Sequence, residues 1–172
     1  MTGSDGFLGS TLVRNLLERG QKVRAGVLSD LDAPALAGLD CERRVIDVTS
    51  PDSLRAGLEG TDAETVLVHC AGMMSISGRV NPIVRTVNVD GTQNVIDACR
   101  EQGVGRLVQV SSVHALPENP ELIVETKDLS EDTVVGEYAK TKAEATCRVL
   151  AADDIDRVIV HPSGIIGAAE HG

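Results

Sequence analysis

The sequence predicts an α/β fold, a doubly wound parallel sheet. Short runs rich in Val, Leu and Ile alternate with stretches of helical periodicity, the mark of strand–helix–strand units. One run, TVLVHC at 65–70, is apolar at nearly every position, as expected for a strand covered on both faces. Three glycines at spacing three and three open the first helical stretch, as in folds that bind a dinucleotide where strand turns into helix.

The elements follow in order. Residues 7–19 form a helix with Leu8, Leu12, Leu16 and Leu17 on one face, ended by Gly20. Residues 22–28 read as a strand and 33–37 as a short helix. Residues 43–48 form the next strand, stopped by Thr49, Ser50 and Pro51, and Pro51 suits the first turn of a helix through Gly57. After the strand at 65–70, a helix covers 81–102, with Val84, Val87, Val95, Ala98 and Cys99 turned inward. Residues 106–110 are a strand. The acidic, proline-containing stretch 117–133 is a surface loop. A helix over 134–152 carries Ala139, Ala143, Thr146 and Leu150 on one face, and 157–161 is the last strand. Only Met1 and Thr2 precede the glycine loop, so the first strand is expected to be missing. A few small residues follow the last strand, so the chain reads as cut at both ends.

Composition narrows the function. A formal charge of −10 argues against nucleic acid and anionic lipid as partners, since both need a basic face. Phe7 and Tyr138 are the only aromatic residues, so the core must be aliphatic. Cys41, Cys70, Cys99 and Cys147 form no C-x-x-C pair, so no metal site is expected, and reduced thiols fit a cytoplasmic protein. Cys70 and Cys99 read as small core residues. No apolar run is long enough to span a bilayer, and no secretory leader pattern is present.

Gly3, Gly6 and Gly9 lie in TGSDGFLG at residues 2–9. Glycine lets the backbone approach a pyrophosphate, and the helix from Phe7 aims its positive end at the same place. Asp5 is expected to cap that helix, pointing away from phosphate. Tyr138 and Lys142, in YAKTK, share one helix face. A Lys near a Tyr favours the phenolate, and a phenol so tuned can exchange a proton with a substrate oxygen near neutral pH. Ser111 and Ser112 close a predicted parallel strand, at the edge where ligands bind such sheets.

Taken in order, TGSDGFLG, Asp47-Val48, HCAG (69–72), NVDGT (88–92), VSS (110–112), YAKTK (138–142) and HPSGIIG (161–167) resemble the extended short-chain dehydrogenase/reductases of the NAD-dependent epimerase/dehydratase family. Within them the chain looks closest to the dihydroflavonol-reductase and 3β-hydroxysteroid-dehydrogenase-like branch. The resemblance implies a Rossmann-type domain over 1–172, incomplete, lacking the first strand and a C-terminal substrate region, with no second domain. It implies NAD or NADP as cofactor, cradled by Gly3, Gly6, Phe7, Leu8 and Gly9. Asp47 and Val48 would flank the adenine, Ala71 and Gly72 would line the dinucleotide, and Pro162 and Ser163 would border the nicotinamide. Ser112, Tyr138 and Lys142 would be catalytic: Ser112 orients the substrate oxygen, Tyr138 is the acid/base, and Lys142 also holds the nicotinamide ribose. Asn88 is expected to be structural.

The serine is followed by Val113, His114 and Ala115 rather than Val-Tyr-Gly, which tilts the expectation toward ketone reduction over sugar-nucleotide chemistry. Val27, Leu28 and Ser29 after the second strand do not decide between cofactors; Asp30 or Asp32 could reach a ribose hydroxyl, but a plain surface loop is the simpler account of them. The expected function is hydride transfer between nicotinamide and a small carbonyl or secondary alcohol. The alternatives are a nucleotide-sugar epimerase or dehydratase and a non-catalytic dinucleotide-binding module. A small-molecule substrate is expected, and a homodimer by resemblance.

Overall fold

A computed structural model of the chain describes residues 1–29, 33–74, 81–118 and 122–167. The elements are α1 (Phe7–Glu18), β1 (Arg24–Val27), β2 (Glu42–Val45), α2 (Pro51–Gly57), β3 (Val66–His69), α3 (Pro82–Arg85), α4 (Gly91–Gln102), β4 (Arg106–Val110), α5 (Glu137–Ala151) and β5 (Arg157–Val160). Single 3₁₀ turns lie at Pro34–Leu36, Val113–Ala115 and Glu131–Thr133.

All strand pairs are parallel: β1 with β2, and β3 with β4 with β5. Residues 1–4 join the two groups. Thr2 N–H donates to the Val68 carbonyl (3.0 Å) and Cys70 N–H donates to the Thr2 carbonyl (3.2 Å). On the other side Gly26 N–H donates to the Met1 carbonyl (2.7 Å) and Ser4 N–H to the Gly26 carbonyl (3.0 Å). Residues 1–4 form no strand of their own beyond the isolated Thr2–His69 bridge. These four residues bond on both sides and hold β1 and β3 two strand spacings apart, giving the order β2-β1-(1–4)-β3-β4-β5.

Two aliphatic clusters fill the layers. Leu54, Leu58, Leu67, Val95, Ile96 and Leu107 pack α2 and α4 on one face, with Val149 of α5. Val13, Ala25, Val27 and Leu36 pack α1 on the other, joined by the half-buried Leu12, Leu16 and Leu17. The second face is not fully covered: Val66 is 52% exposed, and Val158 and Val160 are about two-fifths exposed. The strand at 65–70 is therefore not enclosed on both sides. Cys99 is buried, Cys70 is half-buried against the α1 cluster, and the four cysteines are free thiols.

The helix expected over 81–102 contains a π-helical turn at Thr86–Asp90 between α3 and α4. The last helix starts at Glu137, three residues later than periodicity suggested, because Val134 is buried in a small cluster with Ala115, Ala139 and Ala143 before the helix begins. No helix among the described residues is long and apolar enough to cross a membrane.

Candidate active site

The glycine loop leaves the end of the residue 1–4 segment and enters α1. Gly3 has φ 63°, and a Cβ there would lie 2.7 Å from Ala71 N. Gly9 lies under the loop, where a Cβ would come 2.0 Å from the Gly3 carbonyl oxygen. Gly6 differs: it is exposed, and a Cβ would meet nothing nearer than the Gly3 carbonyl oxygen at 3.5 Å. The fold itself therefore needs Gly3 and Gly9 to lack side chains, whereas it does not need this of Gly6. Gly6 is the N-cap of α1 and no side chain caps it, so the expected Asp5 cap is not made. No acidic residue lies in the first turn, and the N–H groups of Phe7, Leu8 and Gly9 have no backbone partner among the described residues. These donors and the helix dipole make this end electrostatically favourable to an anion.

Beneath the loop runs a buried polar chain whose direction is fixed. Thr92 Oγ donates to the Asn88 carbonyl (2.6 Å), so it must accept from His69 Nε2 (3.2 Å). His69 Nδ1 then accepts from Thr2 Oγ (2.7 Å), which itself accepts from Ala71 N–H (3.2 Å). His69 is fully buried, and desolvation holds its pKa down at about 3, helped by the charge of Lys142. It is a neutral Nε2–H imidazole joining the glycine loop to α4. This chain was not anticipated from sequence; the signal was two threonines and a histidine at matching strand and helix positions.

The π-turn presents Asn88 to two neighbours. Its Nδ2 donates to the Met73 carbonyl (2.9 Å) and to Thr141 Oγ (3.1 Å), and its Oδ1 accepts from Met73 N–H (2.8 Å). Thr141 Oγ donates to the Tyr138 carbonyl (2.8 Å). Asn88 thus ties the β3 exit to the helix of Tyr138 and Lys142.

Lys142 is buried on α5. Its Nζ donates to the Val110 carbonyl at the end of β4 (2.9 Å) and lies 3.8 Å from where a Cβ of Gly72 would stand. Burial pulls its pKa down to about 8. Gly3 abuts Ala71 and Lys142 abuts Gly72, so the loop and α5 meet at one edge of the sheet, across the exit of β3.

Ser112 Oγ accepts from His114 N–H (3.2 Å), which leaves its own proton free to donate. Ser111 is spent structurally, its hydroxyl paired with Thr146 Oγ (2.6 Å). The His114 ring meets the half-buried Tyr138 ring edge-on, centroids 6.3 Å apart, so the Ser112 turn lies against Tyr138. His161 Nδ1 donates to the Ser112 carbonyl (3.0 Å) and Val113 N–H to the Pro162 carbonyl (3.0 Å), which places Pro162 and the exposed Ser163 beside that turn. A Cβ on Gly167 would come 3.2 Å from the Phe7 ring, so the segment after β5 returns over the glycine loop.

Asp47 accepts twice from Thr49, at its N–H (2.8 Å) and its hydroxyl (2.7 Å). Val48 is a core side chain against Gly91, and its carbonyl accepts from Asn94 (3.0 Å). Asp30 and Asp32 lie outside the described residues.

A profile of the 3-beta hydroxysteroid dehydrogenase/isomerase family matches residues 1–168. The chain is 37% identical over 170 residues to sterol demethylase protein B of Methylococcus capsulatus, covering 97% of this chain and 51% of that protein. It is 32% identical over 181 residues to the decarboxylating sterol-4-alpha-carboxylate 3-dehydrogenase of Saccharomyces cerevisiae, covering 98% of this chain and 51% of that protein. Its fold superposes with a TM-score of 0.76 on a short-chain dehydrogenase/reductase superfamily protein from Agrobacterium tumefaciens solved with bound NAD, at 27% identity, covering 93% of this chain and 47% of that one. The chain spans about half the length of these relatives. It belongs to the 3-beta hydroxysteroid dehydrogenase/isomerase family, within the short-chain dehydrogenase/reductases of epimerase/dehydratase type.

Proposed function

We propose that residues 1–172 are the dinucleotide-binding and acid/base part of an NAD(P)-dependent oxidoreductase acting on a small carbonyl or secondary alcohol. The observation that carries this reading is Lys142. It is a buried amine at the meeting point of β3, β4 and α5, one helical turn from Tyr138, and close to the strand exit on which Gly3 packs.

A dinucleotide fits the residues present. The free N–H groups of Phe7, Leu8 and Gly9 suit a pyrophosphate, and Gly6 offers space where a side chain would intrude. Gly3 and Ala71 shape that loop, and Gly72 leaves the path toward Lys142 open. Asp47 and Val48 would border the adenine end, Val48 through its backbone only, since its side chain is in the core. Pro162 and Ser163 would border the nicotinamide end. When bound, the nicotinamide supplies or takes the hydride.

Lys142 would hold the nicotinamide ribose and, as a cation beside the phenol, favour its ionised form. Tyr138 would pass the proton to or from the substrate oxygen, and Ser112 would orient that oxygen with its free hydroxyl proton. The name of the yeast relative, a sterol-4-alpha-carboxylate 3-dehydrogenase, favours a secondary alcohol or ketone over a sugar nucleotide.

NADH fluorescence titration and turnover on one sample test the proposal. Tyr138→Phe is expected to bind NADH within about twofold of the parent while losing roughly 10²–10⁴-fold in turnover of a ketone substrate. A variant that turns over at the parent rate removes Tyr138 from the reaction, and loss of binding alone makes it a cofactor contact.

A further inference from the structure

Tyr138 is the second residue of α5. Helix side chains lean toward the N-terminus, so its ring reaches past the start of the helix, where no preceding turn packs against it. The residues just before it give little support. Gly136, the N-cap, has no side chain, and Val135 is 77% exposed. An acid/base group must keep its hydroxyl within a narrow range of positions, so this phenol needs a neighbour from another element.

His114 is that neighbour. Its ring meets the Tyr138 ring with 72° between the planes, and among the described residues no other ring does so. Edge-on pairing is directional, because the rim of one ring carries positive charge and the face of the other negative. The backbone that carries His114 is fixed on three sides. Ala115, next along the turn, is buried with Val134 against Ala139 and Ala143 of α5. The three alanines have no rotamers to choose between, so turn and helix meet in one way. On the second side Val113 N–H donates to the Pro162 carbonyl (3.0 Å). On the third, His161 Nδ1 donates to the Ser112 carbonyl (3.0 Å).

The same residue touches the other hydroxyl through its main chain. His114 N–H donates to Ser112 Oγ (3.2 Å), which occupies one lone pair and leaves the hydroxyl proton to point elsewhere. His114 thus reaches Ser112 by its amide and Tyr138 by its ring. We propose that His114 is a positioning residue for the acid/base step: its imidazole holds the Tyr138 phenol in one orientation beside Ser112 and does not itself exchange the proton. This rests on the reading of Tyr138 as the acid/base. A side chain without a ring at 114 keeps the main-chain bond to Ser112 but frees the phenol to change rotamer. A ring that cannot titrate, such as Phe, keeps both.

Tyr138 is the only tyrosine and the chain has no tryptophan, so tyrosine emission reports on this side chain alone. Time-resolved emission anisotropy of the whole chain needs no turnover and decides the ring-holding role by itself. In His114→Ala the amplitude of the sub-nanosecond decay is expected to rise at least about twofold, as for a ring released to change rotamer. In His114→Phe it is expected to return to the parent value. In NADH-dependent reduction of a ketone, His114→Ala is expected to lose about tenfold or more in kcat with KM for NADH within about twofold, and His114→Phe to stay within about threefold of the parent in both. The positioning role is overturned by an Ala variant whose anisotropy equals the parent's, by a freed ring with unchanged kcat, or by a Phe variant as slow as the Ala variant. Each of these leaves the acid/base assignment standing. Parent-rate turnover by Tyr138→Phe instead removes Tyr138 from the chemistry, and the role of His114 with it.

Discussion

Thr2 and His69 are joined twice: as backbone partners in the parallel bridge that stitches the two strand groups together, and through their side chains, Thr2 Oγ donating to His69 Nδ1 at 2.7 Å. The imidazole can accept there only while neutral, because Nε2 already carries the proton donated to Thr92.

That link makes stability depend on pH. Folded His69 stays neutral down to about pH 3, whereas the unfolded imidazole takes a proton near 6.5. Between those values the unfolded state binds the extra proton, so His69's contribution is complete above about pH 6.5 and is lost as pH falls through that window. Compared with His69→Asn, which does not titrate, the parent is expected to lose about 2 kcal/mol of its advantage between pH 6.5 and 5. Denaturant unfolding of both proteins at each pH measures this, and a difference constant with pH would remove the neutral-histidine account.

The glycines separate by what surrounds them. Gly9→Ala places a methyl 2.0 Å from the Gly3 carbonyl oxygen, where only backbone can move, and is expected to destabilise by more than about 2 kcal/mol. Gly6→Ala meets nothing closer than 3.5 Å and is expected to cost under about 1 kcal/mol, yet to weaken NADH binding at least about tenfold by filling the phosphate site. Thermal melts and NADH titrations of the two variants check both statements. A Gly6→Ala protein that binds NADH like the parent would move the phosphate elsewhere.

Lys142→Met keeps most of the buried volume and removes a desolvated amine. The fold is expected to tolerate it within about 1.5 kcal/mol, since among the described residues only the Val110 carbonyl loses its side-chain donor. NADH affinity and turnover are expected to fall together, each by at least about tenfold. Unchanged affinity with a large loss of stability would make Lys142 a packing residue.

Much of the fold was legible because period-two and helical patterns report burial directly: α2 and β4 fall where the residues put them. The π-turn was not legible, since Thr86–Asp90 carries the same apolar spacing as a plain helix, and only the bonds of Asn88 distinguish it. The helix cap was misread because Asp5 has the right chemistry but Gly6 has the right place, and Gly6 leaves the donors open. The loop, Lys142 and Tyr138 were singled out from type and spacing, and the structure puts the loop and Lys142 at one edge of the sheet. Thr2, His69, Thr92 and Thr141 were not, since each is an ordinary residue until the sheet and helices bring it beside its partner.

Pairing by residues 1–4 also carries a consequence. Thr2→Pro removes the N–H that donates to the Val68 carbonyl and the hydroxyl that reaches His69. The two strand groups are expected to separate, with cooperative unfolding replaced by two transitions in calorimetry. A single sharp transition near the parent temperature would show that the helices alone hold them together.

A crystal structure of the chain grown with NADH tests the common site most directly. The expected density has the pyrophosphate against the N–H groups of Phe7, Leu8 and Gly9 and the nicotinamide ribose within hydrogen-bond distance of Lys142 Nζ, with the ring beside Tyr138. Dinucleotide density that reaches the glycine loop but leads away from Lys142, or lies on another edge of the sheet, would contradict the account.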